Sequence, residues 1–311
     1  MVWANKNNGV LSYIRQGKGK RAKRMNFKIV ADSSADFPEI KGVPFATVPF
    51  KIVTDVKEYV DDGTLDVDGM VADLLKYKGK SGTACAGPGE WMTLFGDAEY
   101  VFCVTISSNL SGSYSAATVA KEQYEAAHPG RKVYVVDSLS AGAEMYMIAE
   151  KLEELILAGK SFEEICTEIA EYTNNVHTVF SLESLQNLAN NGRVNPAVAK
   201  IAGVLGIRQV GIASDVGTLQ PLDKSRGEKK AVQDVVKNIK NLGYAGGYML
   251  INNCQNRGAA EQVRDMLLKE FPNGNIKIGT TKGLCSFYAE KGGLMIGFEG
   301  GYNAENDGEK F

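Results

Sequence analysis

Three runs of apolar residues in the first half of the chain each end at a polar turn. They are NFKIVAD (26–32) before SSADFP, YVFCVTI (100–106) before SSNLSGS, and KVYVVDS (132–138) before LSAG. Short runs rich in β-branched and aromatic residues read as buried strands. Between them the period changes. Residues 111–127 are rich in alanine, and beyond the third run Met145, Ile148, Leu152, Leu155 and Ile156 share one helical face. Gly159 ends that helix. SFEE from Ser161 then offers a capping box for the next, whose buried face is Phe162, Ile165, Cys166, Ile169 and Tyr172. Strands alternating with helices predict βαβ units and a largely parallel sheet.

From His177 the texture differs. HTVFSLESLQNLANNGRV reads as a strand and a helix closed by Asn-Gly, and GIRQVGIA with GTLQPLD forms a hairpin about SDVG. Helical stretches at 229–242 and 257–271 alternate with the strand-like GYMLIN, NIKIGT and GLMIGF. The expected architecture is α/β in two domains. Residues 25–176 form a Rossmann-like parallel-sheet domain, and residues 177–311 an α+β domain with a mixed or antiparallel sheet.

Charge changes this picture at one end only. The 311-residue chain is 44% hydrophobic and carries a net charge of −2, which argues against a nucleic-acid partner. Residues 1–24 hold seven lysines and arginines and no acid. This leader reads as a disordered extension outside the folded unit. No stretch has the apolar length of a membrane span, which leaves room only for transient contact with a membrane surface. Five scattered cysteines without a CxxC spacing suggest a reduced, cytoplasmic setting and no structural metal. His128, in AAHPG, reads as a helix C-cap, and His177 as a strand residue.

In open parallel sheets ligands bind beyond the carboxyl ends of the strands, at helix N-termini. Three hydroxyl-rich turns fall there: DSSAD with Ser33, ISSNLSGS with Ser107, Ser108 and Ser111, and DSLSAG. A fourth turn, SGTACAGPGEW, carries Thr83. One cap hydroxyl per helix needs no further role, and Asp32, Asp137 and Ser138 are read as caps. SSNLSGS exceeds what a cap requires. It lacks the GxSxG setting and an adjacent base of a nucleophile, and the chain lacks the phosphate-binding GxxxxGK[ST] pattern. An anion seat remains, with Arg193 in NNGRV or Arg226 in DKSRGEKKA as bidentate donor. A rival reading makes the same hydroxyls the anion hole of an enzyme acting on a small carboxylate or phosphate. Asp32, Asp137 and Glu290 are then the available bases.

Taken in order, KIVADSSADFP, the Thr83–PGE turn, ISSNLSGSYSAA, VVDSLSAG, NNGRV, GTLQPLDKSRGEKKA and GLMIGF resemble the DegV family of bacterial lipid-binding proteins over 25–300. The resemblance implies a long-chain fatty acid in an apolar tunnel between two domains, with no cofactor and no catalysis by the chain itself. The carrier presents the acyl carboxylate to a separate fatty acid kinase subunit, which makes an acyl phosphate for phospholipid synthesis. Carried over, the carboxylate meets Thr83, a serine among Ser107, Ser108 and Ser111, and Arg226. Arg193 stands by as helper or kinase contact, and Ser33 and Ser286 as further helpers. Phe180, Leu182, Leu185, Val204 and Ile207 become candidate walls. Two departures stand out. The family's TSQPS turn is TACAG here, and its C-terminal His-x-Gly-Pro-Gly element is replaced by TTKGLCSFYAEKGGL. Ser286, Tyr288 or Lys282 would then stand in for the missing histidine.

Overall fold

The computed structural model describes residues 26–195 and 206–301. The basic leader and Val204 lie outside them. The alternating pattern of the first half folds as expected. Strands β1 (Phe27–Asp32), β2 (Phe45–Val48), β6 (Tyr100–Thr105) and β7 (Lys132–Asp137) form a parallel sheet of order β2-β1-β6-β7. Alternate residues point to opposite faces. Val30 and Cys103 meet helices α2 (Pro88–Phe95) and α3 (Ser113–Ala127), while Ile29, Ala31 and Phe102 meet α4 (Ala143–Leu157) and α5 (Phe162–Thr173). The capping box at Ser161 and Glu164 forms, and His128 caps α3. The chain leaves β1 towards β2 on one side and β6 towards β7 on the other, so the switch point lies beyond Asp32 and Thr105.

Between β2 and α2 the chain builds a feature the sequence pattern did not announce. Strands β3 (Lys51–Thr54), β4 (Glu58–Val60) and β5 (Ser81–Ala84) make a small antiparallel sheet, with α1 (Val67–Lys76) between the last two. Each strand has only three or four residues, too few to establish a period.

The third sheet has six strands in the order β10-β9-β8-β13-β11-β12. They are β8 (Val176–Leu182), β9 (Ile207–Ala213), β10 (Leu219–Arg226), β11 (Tyr248–Asn253), β12 (Asn275–Thr280) and β13 (Leu294–Glu299). All pairings are antiparallel except β11 with β12, and β9–β10 is the expected hairpin. Helices α7 (Glu228–Asn241) and α8 (Arg257–Glu270) cover one face. On the other side α4 packs against both β6 and β13, so one helix is core to both large sheets. Its first turn comes so near β13 that a Cβ on Gly297 would sit 2.6 Å from the Glu144 amide. A 3-10 turn (Ser33–Ala35) and two short helices, α6 (Gln186–Asn190) and α9 (Gly283–Ala289), complete the described chain.

Candidate functional site

Between the two large sheets lies a cavity lined by residues of both. Most of its wall is apolar. Phe180 and Leu182 of β8, Ile106 and Leu110 beyond β6, and Leu284 and Ala289 of α9 contribute. The strand face supplies every second residue, which is why Thr178, Phe180 and Leu182 line it while Val179 points into the core under α7. Of the candidate walls, Phe180 and Leu182 line the cavity. Leu185 is buried in the adjoining core, and Ile207 stands at the start of β9, away from it.

Polar groups gather beside Leu182 and Leu188. Thr83 Oγ1 and Tyr288 Oη are 2.8 Å apart, and both side chains reach the cavity from different sheets and helices. Arg193 lines the same end, its guanidinium 5.8 Å from the Tyr288 ring centre. Two of its donors are fixed, Nε by the Leu110 carbonyl at 3.1 Å and Nη1 by the Asn191 carbonyl. Ser111 also lines this wall. Burial pushes the Tyr288 hydroxyl above its usual pKa, so it is a neutral donor. Two hydroxyls that share one mutual bond keep one O–H proton for a third group. The cluster can therefore offer a hydroxyl donor and a guanidinium to an anion at the end of an apolar bore.

Not every sequence-predicted residue arrives there. Ser107 is buried and donates to the Gly217 carbonyl at 2.7 Å, with the Asn109 amide donating back to its Oγ. That bond ties the α3 junction to the β9–β10 hairpin. Ser108 is exposed, and its amide donates to Asp137. Arg226 ends the edge strand β10 and is exposed, outside the cavity. Ser33 accepts from the Phe50 amide at 3.0 Å, and Ser286 shares a proton with Thr281 at 2.7 Å. Neither faces the bore. Lys282 donates its amide to Asp36 and likewise does not line it. The structure thus brings Thr83, Ser111, Arg193 and Tyr288 together, and leaves Ser33, Ser107, Ser108, Arg226 and Ser286 in other surroundings.

The hydroxyl excess of the junction has a local cause. Asp32, buried at the end of β1, accepts from the Ser34 and Ile106 amides and from the Ser113 hydroxyl at 2.7 Å, as well as from Ser34 Oγ. A buried carboxyl needs such donors. Burial still holds its pKa above the ordinary carboxylate value. Asp137 accepts from the Ser108 and Leu139 amides, and Glu290 from Ser184 Oγ and the Asn187 amide. His177 on β8 packs its ring at a tilt against Phe298 of β13, 5.9 Å between centres.

A second pair of buried carboxyls holds α9 in place. Asp61 accepts from the Gly283 and Leu284 amides at 3.0 and 2.9 Å, and Asp36 accepts from the Lys282 amide and from Asn252 Nδ2. These bonds satisfy orphan N–H groups at the helix start. The helix they anchor carries Leu284, Cys285, Tyr288 and Ala289 into the cavity wall.

Fold and site together define a two-domain α/β protein whose apolar interdomain cavity ends in a hydroxyl and guanidinium cluster. Residues 26–300 match the family model described as "Uncharacterised protein, DegV family", and the chain belongs to the DegV family. DegV domain-containing proteins of Streptococcus pneumoniae and Streptococcus gordonii are 40% identical over 279 residues, spanning 88% of this chain and 99% of theirs. Two solved structures are similar throughout. One is a DegV family protein from Eubacterium eligens loaded with heptadecanoic acid (41% identity, TM-score 0.86, 88% of this chain and 100% of that one). The other is the Streptococcus pneumoniae Fatty Acid Kinase (Fak) B3 protein loaded with linoleic acid (40% identity, TM-score 0.87, 89% and 100%). Among the described residues no helix is long and apolar enough to cross a membrane.

Proposed function

We propose that this chain binds one long-chain fatty acid in the interdomain cavity and presents its carboxylate to a separate fatty acid kinase subunit. The chain then acts as a carrier, with the bound acid as its only ligand. The observation that carries this reading is the cavity itself: a mostly apolar wall into which Thr83, Tyr288, Ser111 and Arg193 bring one polar cluster. The two relatives, about 40% identical and loaded with heptadecanoic and linoleic acid, support it. Acyl burial supplies affinity at about 0.8 kcal/mol per methylene. The polar cluster fixes orientation by giving the carboxylate hydrogen bonds and a counter-charge. Arg193, rather than Arg226, is the cation of the site, and Tyr288 takes the place left by the family's histidine.

Mass spectrometry of the purified protein under native and denaturing conditions tests this directly. A co-purified acyl chain, and a higher melting temperature on adding palmitate, oleate or linoleate, are the expected results. Repeatedly empty preparations that none of these acids stabilises would overturn the reading. The site assignment has its own test in the double substitution Thr83→Val with Tyr288→Phe. It should weaken oleate binding by roughly tenfold, the loss of about one hydrogen bond to a charged group.

A further inference from the structure

The cavity has a second polar point, far from the head-group cluster. Thr178 and Leu182 lie on the same face of β8, so they are on the order of 13 Å apart along the strand. Leu182 sits in the core beside Tyr288, whereas Thr178 lies next to Ser140, which also lines the wall. The two hydroxyl oxygens are 2.8 Å apart. Behind them Thr178 Oγ1 is 2.7 Å from Oε2 of Glu144, and Ser140 also hydrogen-bonds that carboxyl. Glu144 is only 4% exposed, in the first turn of α4, and pairs with no cation among the described residues. Burial without a counter-charge pushes its pKa up to about 8, which favours the protonated carboxyl at pH 7.

Three O–H groups that face one another can spend their protons within the trio. Each hydroxyl oxygen has two lone pairs, however, and a single mutual bond uses one of them. Ser140 and Thr178 therefore keep acceptor capacity towards the cavity. When the Glu144 proton turns to Thr178, the threonine O–H is released to donate as well. A methylene chain satisfies neither state. A keto group satisfies only the second, and a hydroxyl, which both donates and accepts, satisfies either.

We infer that Ser140 and Thr178, backed by Glu144, form a second recognition point that admits acyl chains bearing a hydroxyl on their distal half. The ligand class is then hydroxy fatty acids alongside unsubstituted ones. This inference rests on the fatty-acid reading of the cavity and extends it by a site on the chain rather than the carboxylate.

Equilibrium binding of stearate, 3-hydroxystearate, 10-hydroxystearate and 12-hydroxystearate separates the two ideas. Wild type should bind 10- or 12-hydroxystearate at least as tightly as stearate. Thr178→Val should weaken that acid about tenfold relative to stearate, one hydrogen bond's worth. The ratio of 3-hydroxystearate to stearate should not move, because that hydroxyl lies near the head group. Ser140→Ala gives an independent variant, and a wild-type circular dichroism spectrum with cooperative thermal unfolding shows that either variant is folded. If wild type binds stearate but both distal hydroxy acids at least tenfold more weakly, or if neither substitution changes the ratio, the second recognition point is wrong and the fatty-acid reading stands. If wild type binds none of the four acids, both fall.

Discussion

The serine-rich junction at 107–113 and the helix α9 segment at 281–289 both bring hydroxyls towards the cavity, and they use them in opposite ways. At the junction two of the four serine hydroxyls turn inward. Ser113 serves the buried Asp32 and Ser107 clamps Gly217, and of the junction's serines only Ser111 and Ser113 stand at the helix start, with Ser111 alone on the wall. In α9 backbone amides meet the buried carboxyls instead: Lys282, Gly283 and Leu284 donate to Asp36 and Asp61, Thr281 and Ser286 bond each other, and Tyr288 goes to the head-group cluster. Hydroxyl density along a sequence therefore marks where buried carboxyls must be solvated as readily as where a ligand sits. What decides between the two is which oxygen has its donors already spent.

The largest effect expected from this comparison is on the support of α9. Asp61 is 1% exposed and receives one amide on each carboxylate oxygen. Asp61→Ala leaves two buried N–H groups without acceptors, so a loss of about 2–4 kcal/mol is expected in urea denaturation. Asp61→Asn can meet only one amide and should fall between. If Asp61→Ala costs no more than a surface substitution, α9 is held by its apolar contacts alone and the carboxyl pair is incidental.

Arg193→Gln comes next, because it separates the two candidate cations. Removing the guanidinium beside Tyr288 should weaken oleate binding by roughly 10–100-fold, the range for hydrogen bonds to a charged group. Arg226→Gln, on the exposed end of β10, should leave oleate affinity within about twofold. The reverse ranking would return the site to the cation suggested by the resemblance.

These two arginines also show what the sequence could convey. Both stand beside glycine in turns at helix boundaries, so local chemistry ranks them equally. Only the pairing of β9 with β10 and the turn after α6 place one at the cavity and the other outside. The parallel sheet and the hairpin were legible because their strands are long enough to show a period. The β3–β4–β5 sheet was not, since its strands are three or four residues long. Asp36, Asp61 and Glu144 escaped notice for a related reason: a carboxyl in a sequence reads as solvated surface until the fold buries it. The one available signal was the run of small residues around Glu144 in SAGAEM, which suits close approach of a helix start to a strand.

Burial of those carboxyls gives a pH signature that sharpens the contrast. Asp36 is raised to about 7 and Glu144 to about 8, both by desolvation. A carboxyl with a raised folded pKa binds more protons in the folded state than unfolded. Its stabilising contribution is complete below the unfolded value and is lost as pH rises through the folded one. Half-buried His177 is lowered and opposes this, adding stability as pH rises from its folded value to its unfolded one. Comparing wild type with Glu144→Gln removes such shared contributions. The difference should shift in the variant's favour by up to about 1.4 kcal/mol per pH unit between pH 5 and 8. A difference that stays constant over that range would mean Glu144 is ionised in the folded protein.

The smallest effect concerns the junction itself. Ser107 joins the α3 start to the hairpin through the Gly217 carbonyl, and Asn109 Nδ2 adds a bond to the Val216 carbonyl. The contact is tight: a Cβ on Gly217, where φ is +73°, would come within 2.2 Å of Ser107 Oγ. Ser107→Ala removes the hydrogen bond to Gly217 and the one its Oγ accepts from the Asn109 amide, and should cost about 1–2 kcal/mol of stability. Oleate affinity should change by less than about twofold, because the lost bonds join backbone segments and not the ligand. The parallel substitution Ser111→Ala loses only the long 3.3 Å bond its Oγ accepts from the Ser113 amide, so it should cost less stability and weaken oleate binding by several-fold. If Ser107→Ala reduces affinity as much as Ser111→Ala does, the clamp and the anion seat are one device, and the distinction between inward and outward hydroxyls at this junction fails.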